Sequence, residues 1–190
     1  MLTKNKIELF RGLSDLASCS VRIKSIENLA QETGKFLESI IEVLYLKLYF
    51  YDFNEGRLSL YYARVSSNEA NDSSENPHLE GFLDEVFKSN EVIHIKDTAN
   101  GTHQFPAGTA QNDSGGSLLY IPITRDDNSV GVIEIVSAQQ NRFSELDITI
   151  LKYVADTTGS FYSNLQYNEK LDKTLEEARI LDTIAKERGS

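Results

Sequence analysis

At Phe143 the period of the apolar pattern changes from about two residues to about 3.6, and it keeps the longer period almost to the last residue. Before this point, Ser117-Leu-Leu-Tyr-Ile-Pro-Ile123 and Val130-Gly-Val-Ile-Glu-Ile-Val136 have strand length and strand composition and are joined by a short polar turn, which predicts a β-hairpin. After it, Ser144 stands as an N-cap with Asp147 three residues on, close to a capping box, and Leu151, Val154, Thr158, Phe161 and Leu165 follow at spacings of three and four. A small globular domain needs no helix of this length for its own core. The helix therefore reads as an output device, and the domain before it as its regulator.

Past Asn168 the apolar pattern slips by one residue and resumes as Leu171, Thr174, Ala178, Leu181 and Ala185. A heptad broken in this way makes a weaker coiled coil, and a phase slip is where such a coil can hold two registers. Phe161, Leu165, Leu171, Ala178 and Leu181 are the candidate dimer and signalling positions. The expectation is that this helix leads to an output domain beyond Ser190, or pairs with a second chain.

At 190 residues the chain suits one domain over 1–168 and a helical extension over 169–190. A formal charge of -10 repels nucleic-acid phosphates and anionic membranes alike, so neither is an expected partner. No run reaches the length of a membrane span and the N-terminus lacks an apolar signal core, which implies a cytoplasmic protein. Cys19 is the single cysteine, so no internal disulfide or cysteine-rich zinc site is available.

Upstream, Ile7, Phe10, Leu13 and Ala17 predict an amphipathic helix over 4–19, and Ser25 caps a second one running to about residue 40. Leu44, Leu46, Leu48 and Phe50 alternate with Tyr45, Lys47, Tyr49 and Tyr51, giving a strand with one aliphatic and one aromatic face, and 58–65 supplies its hairpin partner. A polar insertion follows over 66–76. Pro77 opens a short helix to Ser89 with Leu79, Phe82, Leu83 and Val86 on one face, and Val92-Ile-His-Ile95 is a short strand. The segment 96–116 is a long, glycine-rich loop of the kind that is usually functional or disordered.

The order of these pieces resembles the GAF family of regulatory domains over about residues 7–168. The resemblance is carried by Val92-Ile-His-Ile-Lys-Asp97, the long loop, Ser117–Ile123, the turn Arg125-Asp-Asp-Asn128, Val130–Ile135 and Phe143-Ser-Glu-Leu-Asp147. It implies an α+β fold, GAF-like and PAS-related: an antiparallel sheet of about six strands with helices on both faces, plus a long C-terminal signalling helix. It further implies a sensor, not an enzyme, that binds a small molecule of unknown identity. As a homodimer, it would pass the signal to an output domain such as a kinase, cyclase or phosphatase.

On this resemblance the candidate pocket residues are Tyr62, Phe82, Val86, His94, Asp97, His103, Phe105, Tyr120 and Glu134. His94 and His103 raise a metal or haem reading, but they form no helical His-x-x-x-His pair and have no cysteine beside them. Asn141-Arg142 and Phe143-Ser-Glu-Leu-Asp147 match in part the Asn-Lys, Phe-x-x-x-Asp-Glu pattern of cyclic-nucleotide-binding relatives, with Ile148 at the last acid. Two alternatives follow: a cyclic-nucleotide sensor, and a ligand-free dimerisation or spacer module. Bilin attachment and sulfoxide reduction, both known in this family, use cysteines of the pocket half, and Cys19 lies outside it.

Overall fold

The computed structural model describes residues 23–42, 44–53, 55–65, 77–98 and 115–188. The predicted helix over 4–19, Cys19, the 66–76 insertion, and His103 and Phe105 of the long loop lie outside the described residues. Eight elements are described, in the order α1 (Ile26–Ile40), β1 (Tyr45–Asp52), β2 (Arg57–Val65), α2 (Pro77–Ser89), β3 (Ile93–Ile95), β4 (Ser117–Arg125), β5 (Asn128–Ser137) and α3 (Glu145–Arg188). All strand pairs are antiparallel and the sheet order is β2-β1-β5-β4-β3. That is five strands, against the expected six or so. Among the described residues no helix is long and apolar enough to cross a membrane.

Local chemistry sets each boundary. The Ser25 side chain accepts from Asn28 N–H at 3.2 Å and caps α1, satisfying one of the donors that a helix start leaves orphaned. In the β4–β5 turn, Asp126 and Asp127 both hold positive φ, 49° and 62°. That is the backbone of a two-residue hairpin turn matched to strand twist, and aspartate tolerates it better than most residues. At the start of α3 the Ser144 N–H donates to Asp147 Oδ2 at 2.9 Å, and the Asp147 N–H donates to Ser144 Oγ at 3.2 Å. The expected capping box is complete.

Because successive side chains of a strand point to opposite faces, each central strand feeds two cores. Leu46, Leu48 and Phe50 of β1, Leu119, Ile121 and Ile123 of β4 and Ile133 and Ile135 of β5 meet Leu29, Leu37 and Ile40 of α1 and Leu151, Val154 and Tyr162 of α3. On the opposite face, Leu118 and Tyr120 of β4 and Val132 and Val136 of β5 meet Leu83 and Val86 of α2. Helices thus cover both faces. The larger core carries the terminal helices and the smaller one carries α2.

Two details hold α3 on its face. The Tyr162 ring stacks on Phe50 at 5.1 Å, and its hydroxyl donates to the Tyr51 carbonyl at 2.8 Å. A Cβ at Gly159 would overlap the Thr124 carbonyl, so the helix can lie this close to β4 only with glycine at that position.

Candidate functional site

Among the described residues, the α2 face of the sheet carries a buried carboxyl group. Glu134 sits at the middle of β5, 1% exposed, and its register places Lys47 of β1 opposite it on one side and Tyr120 of β4 on the other. Three neighbouring strands therefore present Lys47, Glu134 and Tyr120 as one transverse row. Tyr49, two residues along β1 on the same face, donates its hydroxyl to Glu134 Oε2 at 3.0 Å, and Lys47 Nζ lies 4.0 Å from the same oxygen. Burial raises the Glu134 pKa above the usual carboxylate range, while the Lys47 charge and the Tyr49 hydrogen bond oppose that rise.

Tyr120 is fully buried. Its hydroxyl is close enough to Glu134 for the two to feel each other's charge, and burial, then that charge, pushes the phenol pKa well up. Its contact with Glu134 falls short of a well-aligned hydrogen bond but couples the two groups. Phe82 of α2 lies against the Tyr120 ring at 5.8 Å, and Val86 closes the same side. Among the expected pocket residues, Phe82, Val86, Tyr120 and Glu134 therefore come together.

Tyr62 and His94 do not join them, and the expected grouping is corrected for both. A register shift between Leu48 and Tyr49 pairs Leu48 with Tyr62 and Tyr49 with Leu60, so Tyr61 is the extra residue of a β-bulge. Beyond the bulge the faces exchange, and Tyr61 and Tyr62 both pack into the helix-side core. There the Tyr62 hydroxyl donates to Glu38 of α1, and its pKa is pushed up to about 12, first by burial and then by that bond. In β3 the pairing of Ile93 with Tyr120 puts the two isoleucines on the α2 face and His94 on the other. His94 stands edge-on to Phe143 at 5.9 Å, and burial, then the Lys96 charge, lowers its pKa. Asp97 accepts from Gln140 Nε2 at 3.0 Å, which ties the start of the long loop to the β5–α3 connection.

Lys47 and Tyr49 were not foreseen as site residues. The alternation of β1 already put them on one face, but only the register with β5 brings them to Glu134. Among the described residues no group of three or more His, Cys, Asp or Glu could hold a metal ion.

The GAF domain family model matches residues 24–161. Solved structures of the same architecture include the GAF domain of a phosphoenolpyruvate-protein phosphotransferase from Coxiella burnetii, at 14% identity and TM-score 0.64, covering 88% of this chain and 99% of that one. A free methionine-R-sulfoxide reductase from Neisseria meningitidis is similar at 17% identity and TM-score 0.65, with 87% and 95% covered. Residues 122 to 287 of a methyl-accepting chemotaxis protein are similar at 17% identity and TM-score 0.60, with 83% and 99% covered. A sequence search of curated proteins gives no match.

Proposed function

The chain belongs to the GAF domain family, and from that premise we propose that it is a regulatory sensor in which a small molecule on the α2 face acts through α3 on an output domain. The observation that carries this reading is the division of labour across β4 and β5. Tyr120 and Glu134 face α2, whereas their immediate neighbours Leu119, Ile121, Ile133 and Ile135 face α1 and α3. A change in strand position caused on one face is thereby felt by side chains that hold the long helix on the other. The required coupling is modest, since about 1.4 kcal/mol of differential affinity between two helix arrangements shifts their ratio tenfold. GAF folds in a chemotaxis protein and a phosphotransferase agree with such a role.

In this reading the outer half of α3 pairs with that of a second chain, because Leu171, Leu175, Ile180, Leu181 and Ile184 are 41–67% exposed on a single chain. The test is sedimentation of the full chain and of a Leu171→Asp/Leu181→Asp variant. A dimer that the variant dissolves supports the reading; a wild-type monomer at high concentration overturns it. The GAF fold also serves in methionine sulfoxide reductases, but Cys19, the sole thiol, precedes the matched segment. Accordingly we assign no catalysis. Reductase activity that is lost in a Cys19→Ser variant would reverse that assignment.

A further inference from the structure

Where α3 leaves the sheet it overhangs a cavity of about 280 Å³ beside the β1–β2 turn, on the face opposite α2, with Tyr162 closing its floor. Past Tyr162 the residues of α3 that line this cavity are Gln166, Glu169, Lys170 and Lys173. All four are polar, whereas a groove that receives another helix presents an apolar stripe. The cavity therefore suits a small solute and not a protein segment. Its volume sits at the lower edge of the range for small-molecule sites, about 300–1,000 Å³.

The sheet side of the cavity sets the charge of what fits. Asp52 is half-buried there, and its Oδ1 accepts from the Glu55 N–H at 3.2 Å, which fixes the carboxylate at the turn. A carboxylate offers about four lone-pair sites, so Asp52 retains capacity to accept. Of the cations nearby, Arg57 is paired with Glu55 at 2.6 Å and Lys173 with Glu169 at 2.9 Å. Lys170 is exposed and keeps its ammonium in water on a long stem. Beside Asp52 the cavity is lined by the rings of Tyr61 and Phe53, held edge-on to Phe50 at 5.7 Å and to Tyr51 at 5.1 Å. Burial first, and then the charges of Asp52, Glu27 and Glu55, raise the Tyr61 pKa, so the field at this ring is negative. A fixed carboxylate next to accessible aromatic rings binds an ammonium twice over, by a charge-assisted hydrogen bond and by cation–π attraction. From this geometry we infer that the cavity takes a small organic cation, its ammonium at Asp52 and its apolar body against Tyr61 and Phe53. Such an occupant tethers the first wholly exposed turn of α3 to the sheet, a second control point on the helix that is separate from the α2 face.

The test is an NMR titration of the full chain with three probes of one shape that differ in charge: benzylammonium, benzyl alcohol and benzoate. The expected result is saturable shifts at Phe53, Tyr61 and Gln166 with benzylammonium alone, together with slower amide exchange over 166–173. Asp52→Asn keeps the oxygen that accepts from Glu55 but removes the charge, and should weaken benzylammonium about tenfold. Tyr61→Leu should weaken it about two- to fivefold, and the ring signals of wild-type Tyr61 report contact without any variant. Benzyl alcohol binding as tightly as benzylammonium would make the cavity a plain apolar cleft, and benzoate binding in its place would make Lys170 the anchor; either overturns the inference. So does binding that both variants leave intact, or a set of shifts that spreads to Asp126 and Asp127 and so reports only attraction to the net charge of -10. If no probe moves these signals, the cavity is a water-filled furrow and the inference falls, while the reading of the α2 face stands or falls by its own experiment.

Discussion

The two halves of α3 are one unbroken helix with opposite surroundings. Over 145–165 its inward positions are filled: Asp147, Leu151, Val154, Ala155, Thr158 and Tyr162 are buried, and Thr33 Oγ1 of α1 meets Thr158 Oγ1 at 3.3 Å. From Tyr167 outward every side chain described is exposed, and the helix carries ion pairs of its own along its surface, Lys173–Glu169 at 2.9 Å and Lys186–Asp182 at 2.5 Å. Exposed pairs at this spacing contribute only about 0.3–0.5 kcal/mol each. The comparison teaches that burial fixes the first half to the sheet, whereas the second half is left to whatever apolar surface it meets.

The largest effect that would test this contrast is Leu151→Ala, expected to cost about 2–5 kcal/mol through lost burial and a residual cavity, while Leu175→Ala should stay within about 0.5 kcal/mol when measured on dilute, unassociated chain. Equal costs in urea unfolding would erase the distinction between the halves. Next in size, Gly159→Ala should destabilise by about 1–3 kcal/mol, because the new methyl meets the Thr124 backbone and not a side chain that can swing aside. A neutral result would mean that α3 does not need to lie so close to β4.

The capping box sharpens the comparison through pH. Burial acts to raise the Asp147 pKa, but the hydrogen bonds from the Ser144 backbone and hydroxyl outweigh it and the net shift is downward. A carboxylate depressed in the folded state contributes stability that is present above its ordinary value of 3.8 and is lost as pH falls through the folded value. Asp147→Ala should therefore cost about 1 kcal/mol near neutrality and progressively less below pH 3.8, read from thermal melts across that range. A cost that ignores pH would remove the carboxylate from the start of the docked half.

The smallest predicted effect compares the two faces of the sheet. Glu134 is raised, so the folded chain binds more protons than the unfolded chain above pH 4.5, and its contribution declines as pH rises from there through the folded value. His94 is lowered, so the unfolded chain binds more protons below pH 6.5, and stability declines as pH falls from there. Relative to wild type, Glu134→Gln should gain as pH rises, and His94→Gln should gain as pH falls. Urea midpoints at pH 5 and pH 8 give both signs, and parallel trends in the two variants would contradict the opposed environments.

The elements themselves were legible because each rests on neighbours in sequence. The Ser25 and Ser144 caps, the Asp126–Asp127 turn and the alternation of β1 all appear where their residues predicted. Glu134 and Tyr120 were legible as candidates from the resemblance, and Phe82 and Val86 from the apolar face of α2. Tyr62 went to the other face because one extra residue in β2 exchanges the faces beyond it, and a period-2 pattern does not reveal a bulge. Lys47 and Tyr49 joined Glu134 through a register that relates residues 85 and 87 positions apart.

By itself the sequence determined where strands give way to helices, that the last helix outruns the domain, and that the chain resembles the GAF family, since periodicity and capping are local. Only the tertiary structure decided which side chains share a face, that Gly159 lets α3 approach β4, and that a carboxylate, an ammonium and two phenols meet beneath α2. The physical reason is that strand alternation gives each residue one of two sides, and only pairing across strands distant in sequence, with its bulges, says which.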